Sequence, residues 1–282
     1  MKPAITAPLT IAVPKGRILQ ELQPLMQRAG IYPEEAFFDE ESRALQFSCK
    51  DQPITLIRVR SFDVPTFVAF GGAQAGIAGS DVLMEFDYSD LYQPLDLNIG
   101  HCRLSVAMRA EDANESAAHR ESHVRVATKY PNITRGYFAD RGVQAECIHL
   151  NGAMELAPAI GLSQRIVDLV SSGATLKANG LVEVEKIMDV TSRLIVHRGA
   201  FKTRGAELSP ILDAFREALS GLGIAHKAAD KGVVTASVGL FAAARVLNGL
   251  AAAASPGPRG DTAGPVPGTR PPGSRGRRSP VR

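Results

Sequence analysis

Cysteine is scarce in this 282-residue chain: Cys49, Cys102 and Cys147 stand far apart, and none shares a CxxC or Cys/His spacing. That excludes zinc ribbons and dithiol redox motifs and leaves three thiols expected to be buried in a reducing compartment. Both common glycine-rich phosphate signatures are missing, since no Gly-Lys-Ser/Thr follows four spacer residues and no GxGxxG occurs. The amino-terminal stretch MKPAITAPLTIAVPKGR has no apolar core of signal-peptide length before Lys15, so a cytoplasmic location is expected. A basic body is absent too. The chain carries 32 Lys/Arg and 29 Asp/Glu, but nine of the former and two of the latter follow position 220, leaving 23 basic against 27 acidic groups before it. Attraction to nucleic acid would have to come from the tail, so none is expected of the body.

One run is long enough to span a bilayer, VVTASVGLFAAARVLNGLAAAA (233–254), yet Arg245 and Asn248 lie inside it and much of the rest is alanine or glycine. It reads as a loose or peripheral helix within an apolar extension (221–254), and no membrane partner is expected. From 255 to 282, 19 of 28 residues are Pro, Gly or Arg, a composition that buries too little apolar surface to offset ordering entropy, so a disordered tail is expected.

What the chain does contain is a succession of short apolar runs with glycine or proline boundaries. LTIAVP (9–14), ITLIRV (54–59), AGIAG (75–79), LSVAM (104–108), HVRVAT (123–128), AECIHL (145–150), RIVDLV (165–170) and SRLIVH (192–197) read as strands. Helical patterns fall between and after them, at 18–29, 64–71, 133–141, 182–188 and 208–219. Strands alternating with helices predict α/β layers with parallel pairing.

The stretch DLVSSGATLKANG (168–180) is the chemically suggestive one. An apolar strand that ends in small residues before a helix start leaves backbone N–H groups without internal partners, which is how an anion is held. Gly173 lets backbone approach a ligand closely, and Ser171, Ser172 and Thr175 add hydroxyls. Asp168, on the strand just before, suits the 2- and 3-hydroxyls of a ribose whose 5-phosphate sits in the turn. The competing reading is an ordinary strand-to-helix turn with Thr175 as N-cap and Asp168 making a local turn bond.

Six blocks in order resemble the catalytic subunit of ATP phosphoribosyltransferase, the family that opens histidine biosynthesis. They are LTIAVPKGRIL (9–19), DVPTFVAFGGAQAGIAGSDVL (63–83), CRLSVA (102–107), RVATKYPNITRGYF (125–138), NGAMELAPAIGLSQRIVDLVSSGATLKANGL (151–181) and SRLIVH (192–197). The resemblance covers roughly residues 8 to 220. It implies an α/β fold of two lobes like a type 2 periplasmic binding protein, with the active site in the cleft between them. Residues 8–97 plus 183–220 should form lobe I, and 98–182 lobe II.

The resemblance also implies a reaction: adenine N1 of ATP attacks the anomeric carbon of 5-phosphoribosyl 1-diphosphate, and pyrophosphate leaves. Such chemistry needs positioning and charge compensation rather than a covalent intermediate. Asp168, Ser171, Ser172, Gly173, Ala174 and Thr175 match the phosphoribosyl-diphosphate loop, and Glu155 the acidic residue of the block before it. Lys15 and Arg17 match a basic pair on the first lobe that should face the polyphosphates, and Arg60 is a third candidate cation. Solvated charge at a helix start, for Lys15 and Arg17, and pairing with Asp63, for Arg60, remain the bland alternatives.

Mg²⁺ carried on the substrate phosphates is the implied cofactor, compatible with the lack of a Cys/His cluster because Mg²⁺ prefers oxygen ligands. No regulatory strand-helix-strand pattern follows residue 220, which resembles the short form. Short-form members assemble as homodimers within a hetero-octamer with a regulatory subunit resembling histidyl-tRNA synthetase. Gln74 stands where an acidic residue is common, and Ser163-Gln164-Arg165 where Ala-Asp is common, which puts local hydrogen bonds at those two places in question. The rival reading is a non-catalytic solute-binding or assembly protein of the same fold.

Overall fold

A computed structural model of the chain describes residues 7–39, 41–113 and 122–222. The expected tail at 255–282, and all but the first two residues of the expected extension at 221–254, lie outside the described residues.

Two sheets organise the chain. The first has the order β2-β3-β1-β4-β11-β5, from β1 (Leu9–Pro14), β2 (Gln46–Ser48), β3 (Ile54–Val59), β4 (Ala75–Gly79), β5 (Leu91–Asp96) and β11 (Ser192–His197). Within it β1 lies parallel between β3 and β4. The second has the order β10-β6-β9-β7-β8, from β6 (Cys102–Arg109), β7 (His123–Thr128), β8 (Gln144–His149), β9 (Arg165–Val170) and β10 (Leu181–Val190), with β7 parallel to both β8 and β9. This is the two-sheet α/β architecture expected of the chain.

Both faces of each sheet are covered, which is why the inner strands read as unbroken apolar runs. On the first sheet, helices α1 (Arg17–Arg28) and α7 (Arg198–Ser220) pack Leu22, Leu25, Phe215 and Leu219 over Ile11, Val13 and Ile77. The opposite face carries α2 (Val64–Ala69), whose Val64 and Val68 meet Ala12 and Ile195. On the second sheet, α4 (Pro131–Ala139) packs Ile133, Tyr137 and Phe138 on Leu104, Val106 and Val167. The short helices α5 (Leu156–Ala159) and α6 (Ala174–Ala178) cover the other side through Ala157 and Leu176. Each fully buried Leu or Phe contributes roughly 1.5–3 kcal/mol.

Three sequence expectations are corrected. The segment expected as a helix at 182–188 is strand β10, paired antiparallel with β6 along its whole length. Its register slips at Val184 and again at Ile187, so the period of two is broken and the apolar spacing imitates a helix. As β10 belongs to the second sheet, the return to the first falls at Thr191, not at the boundary expected between 182 and 183. The last helix is also longer than expected: α7 begins at Arg198 and bends at Arg204, where φ is −125°.

The chain passes between the sheets twice, at 97–101 and at Thr191. The first crossover is bonded to Ser192, the residue just after the second: Leu97 N donates to Ser192 O and Ser192 N to Ile99 O, both at 2.9 Å. Among the described residues no helix is long and apolar enough to cross a membrane.

Candidate active site

The carboxyl ends of the parallel strands are where an α/β sheet presents ligand-binding loops. In the first sheet Lys15 follows β1, Arg60 follows β3, and helix α3 (Ser80–Phe86) follows β4. In the second, Lys129 and Tyr130 follow β7, and the turn 171–175 follows β9. Hydrogen bonds between the two sets bring these ends together. Arg17 Nη1 donates to Ser171 Oγ at 3.3 Å, and Tyr130 donates its phenol to Asp81 Oδ2 at 2.7 Å. Glu85 accepts from the amides of Asn132 and Ile133 at the start of α4, at 2.9 and 3.0 Å. The ammonium of Lys129 sits 4.6 Å from the centre of the Phe62 ring.

The turn itself is open. Ser171, Ser172, Ala174 and Thr175 are exposed, and Gly173 is half-buried. Gly173 is the N-cap of α6 with φ 79° and ψ 2°, a left-handed conformation costing a residue with a Cβ about 1–2 kcal/mol. No side chain caps that helix, so the alternative with Thr175 as N-cap does not hold. Among the described residues the amides of Ser172, Gly173 and Thr175 have no acceptor, and that of Ala174 reaches only Ser172 Oγ at 3.3 Å. With α6 just five residues long, the free amides rather than a helix dipole make the turn attractive to an anion.

Asp168 lies half-buried on β9 directly opposite Ser105 of β6. Its Oδ1 accepts from the Leu169 amide at 2.8 Å, the local bond anticipated as its bland role, while among the described residues Oδ2 has no such partner. Burial pushes its carboxyl up to about 6; the charge of Glu155 pushes the same way, and the Leu169 amide and Lys129 pull against it. Glu155, half-buried, is the N-cap of α5. The two carboxylates are thus close enough to act on each other's charge, and hydroxyl or cationic partners would favour their ionised forms.

Of the expected cations, Arg17 is the one bonded to the turn. Its Nε lies 3.5 Å from Glu21, which also accepts from the Gly100 amide at 2.7 Å and so ties α1 to the first crossover. Lys15 donates its amide to Val59 O at 3.1 Å, placing it beside Arg60 at the ends of adjacent strands. Both are exposed, and among the described residues neither side chain makes an ion pair; Arg60 is not paired with Asp63. Sequence reasoning missed Lys129 and Asp81. Their signal was positional: Lys129 follows a parallel strand just as Lys15 does.

Local bonds at the two departures from the family pattern are intact. Gln74 Oε1 accepts from the Thr10 amide at 2.8 Å, joining the start of β4 to β1. Gln164 Oε1 does the same for the Arg125 amide at 2.8 Å, joining the start of β9 to β7. Among the described residues no three His, Cys, Asp or Glu side chains gather as a metal set.

Comparison with known proteins gives a consistent answer. The sequence profile of the family described as "HisG: ATP phosphoribosyltransferase" matches residues 60–217. The chain is 64% identical over 210 residues to an ATP phosphoribosyltransferase of Rhodospirillum rubrum, spanning 74% of this chain and 92% of that one. With an ATP phosphoribosyltransferase of Bordetella pertussis it is 52% identical over 222 residues, 77% of this chain and 98% of that one. A solved structure, the ATP phosphoribosyl transferase (HisG:HisZ) complex from Thermotoga maritima, superposes with a TM-score of 0.64 at 32% identity, covering 76% of this chain and 99% of that one. The chain belongs to the HisG family, the ATP phosphoribosyltransferases.

Proposed function

We propose that this chain carries out the family's transfer of a phosphoribosyl group to ATP with the turn 171–175 as the grip on the sugar's 5-phosphate. The bond between adenine N1 and the anomeric carbon forms as the bond from that carbon to the diphosphate oxygen breaks, and the electron pair leaves with pyrophosphate. No nucleophilic side chain takes part. The carrying observation is the exposed turn with unpartnered amides, flanked by Asp168 and reached by Arg17 from the other sheet.

The roles follow from charge. Asp168, with Oδ2 available, accepts from the ribose hydroxyls, and Glu155 supplies a second carboxylate beside it. Ser171, Ser172, Gly173, Ala174 and Thr175 surround the 5-phosphate with amides and hydroxyls. Lys15, Arg17 and Arg60 compensate the polyphosphates that must share the site. Mg²⁺ would come with those phosphates; Asp168 and Glu155 are carboxylates that would help hold it, and it would supply charge neutralisation for the departing diphosphate. We further propose a dimer that works within a hetero-octamer containing a regulatory subunit similar to histidyl-tRNA synthetase. The solved relative, described as a HisG:HisZ complex and covered almost end to end, supports that reading.

Pyrophosphate release from ATP and phosphoribosyl diphosphate, measured with and without the regulatory subunit and with Mg²⁺ chelated, tests the whole scheme. Turnover should require Mg²⁺ and rise with the partner. Asp168→Ala should lower kcat/KM for phosphoribosyl diphosphate by roughly 100-fold, the worth of two hydrogen bonds to a charged group. Unchanged turnover in that variant would remove Asp168 from the mechanism. Full histidine-sensitive activity from the chain alone would remove the partner.

A further inference from the structure

Arg103, at the start of β6, uses its guanidinium in two directions. Nε and Nη2 meet the two carboxylate oxygens of Glu183 at 2.6 and 2.5 Å, while Nη1 donates to the backbone carbonyl of Ser171 at 2.9 Å. Glu183 is fixed in turn: Ser105 Oγ donates to its Oε1 at 2.8 Å, and the bulge at Val184 sets the strand beside it. A planar fork held on a carboxylate has little rotational freedom left, so the third bond has a defined direction.

That direction matters because a trans peptide is planar, with its C=O and the following N–H pointing opposite ways. Turning the Ser171 carbonyl toward Arg103 therefore turns the Ser172 N–H away from it. The Ser172 amide is one of those without an acceptor among the described residues. We propose that Arg103, locked by Glu183, is a positioning residue that orients the 171–172 peptide so that the Ser172 amide faces the phosphate. The proposal rests on the reading of turn 171–175 as the 5-phosphate grip. Arg103 acts through the backbone in this reading: three of its five N–H groups are committed to Glu183 and to the Ser171 carbonyl.

Equilibrium binding of phosphoribosyl diphosphate and steady-state kinetics on the full chain with its regulatory partner, checked by thermal melts, separate the alternatives. Both side chains are partly exposed, at 32% and 25%, so the variants are expected to fold. Arg103→Ala should weaken phosphoribosyl diphosphate about tenfold, with KM for ATP within about twofold of the parent. Arg103→Lys should lose nearly as much, because an ammonium keeps the charge but cannot hold Glu183 bidentately while reaching Ser171. Glu183→Gln gives the sign test. Unlocking Arg103 weakens the ligand about threefold, whereas a cation acting directly on phosphate would bind it more tightly once the nearby negative charge is gone. Tighter binding in Glu183→Gln, or full rescue by Arg103→Lys, overturns the proposal. Ser172→Asp, which puts a carboxylate into the turn, distinguishes the two levels. If Ser172→Asp weakens binding and Arg103→Ala does not, the positioning role fails alone; if neither weakens it, the phosphate grip fails as well.

Discussion

Tyr130 and Asp81 come from different sheets and meet at 2.7 Å in the seam between them, one 1% and the other 3% exposed. Burial pushes the Asp81 carboxyl up, while the Tyr130 hydroxyl and nearby amides hold it down; burial and the Asp81 charge push the phenol up, so the phenol is the donor. Tyr130→Phe removes the side-chain donor and should cost about 2 kcal/mol, read as a lower urea midpoint. Asp81→Asn in the same background should recover most of the loss, because the buried group no longer carries charge. The defect should also shrink as pH falls through the raised pKa of Asp81 and the carboxyl becomes neutral. An unchanged midpoint in Tyr130→Phe would mean that this pair does not help to hold the sheets together.

Asp168 makes a prediction of opposite sign for stability and activity. Its carboxyl titrates near 6 in the folded chain against an ordinary value of 3.8. A raised acid favours the fold fully below the unfolded pKa, and that contribution is lost as pH climbs from about 4 to about 6. Above pH 6 the ligand-free protein therefore carries a cost on the order of 2–3 kcal/mol. Asp168→Asn should melt higher than the parent at pH 7.5, match it near pH 4, and lose most of its transferase activity. A lower melting temperature at pH 7.5 would contradict the burial argument.

Legibility in the sequence followed burial. Strands β1, β3, β4, β6, β7, β8, β9 and β11 were readable because most have both faces covered and appear as apolar runs. Three were not. Strand β2 is three residues long, β5 carries Pro94 on a sheet edge, and β10 is an edge strand with two bulges and exposed Val182 and Val184. The small-residue run after Asp168 drew attention to the turn 171–175 by local composition alone. Asp81, Lys129 and Arg103 carried no such announcement. Asp81 meets its partner 49 positions away and Arg103 meets Ser171 68 positions away, and only the strand order supplies those neighbours.

Arg58 offers a test confined to the first sheet. It is 3% exposed, yet among the described residues no carboxylate pairs with it. Instead its guanidinium donates to three backbone carbonyls, those of Phe37 at 2.8 Å and of Asp39 and Ser42 at 2.7 Å, and lies over the Phe47 ring. An ammonium cannot span that set. Arg58→Lys should lower stability by about 2 kcal/mol and expose the segment around residues 39–45 to limited proteolysis. Parental stability together with a parental digestion pattern would show that the carbonyl set does not depend on the fork.

Lys129 tests whether the cleft holds a cation that its sequence block did not advertise. Its ammonium makes no ion pair among the described residues, lies over Phe62, and lowers the pKa values of both Asp168 and Asp81. Lys129→Met keeps the apolar contact with the ring and removes the charge. Two effects should appear together. KM for phosphoribosyl diphosphate should rise roughly tenfold, as for one charge-assisted bond. The acid limb of kcat/KM should also move to higher pH, because Asp168 without that neighbour holds its proton longer and an ionised carboxylate accepts from ribose better than a neutral one. A purely structural lysine would change the melting temperature and leave the acid limb where it was.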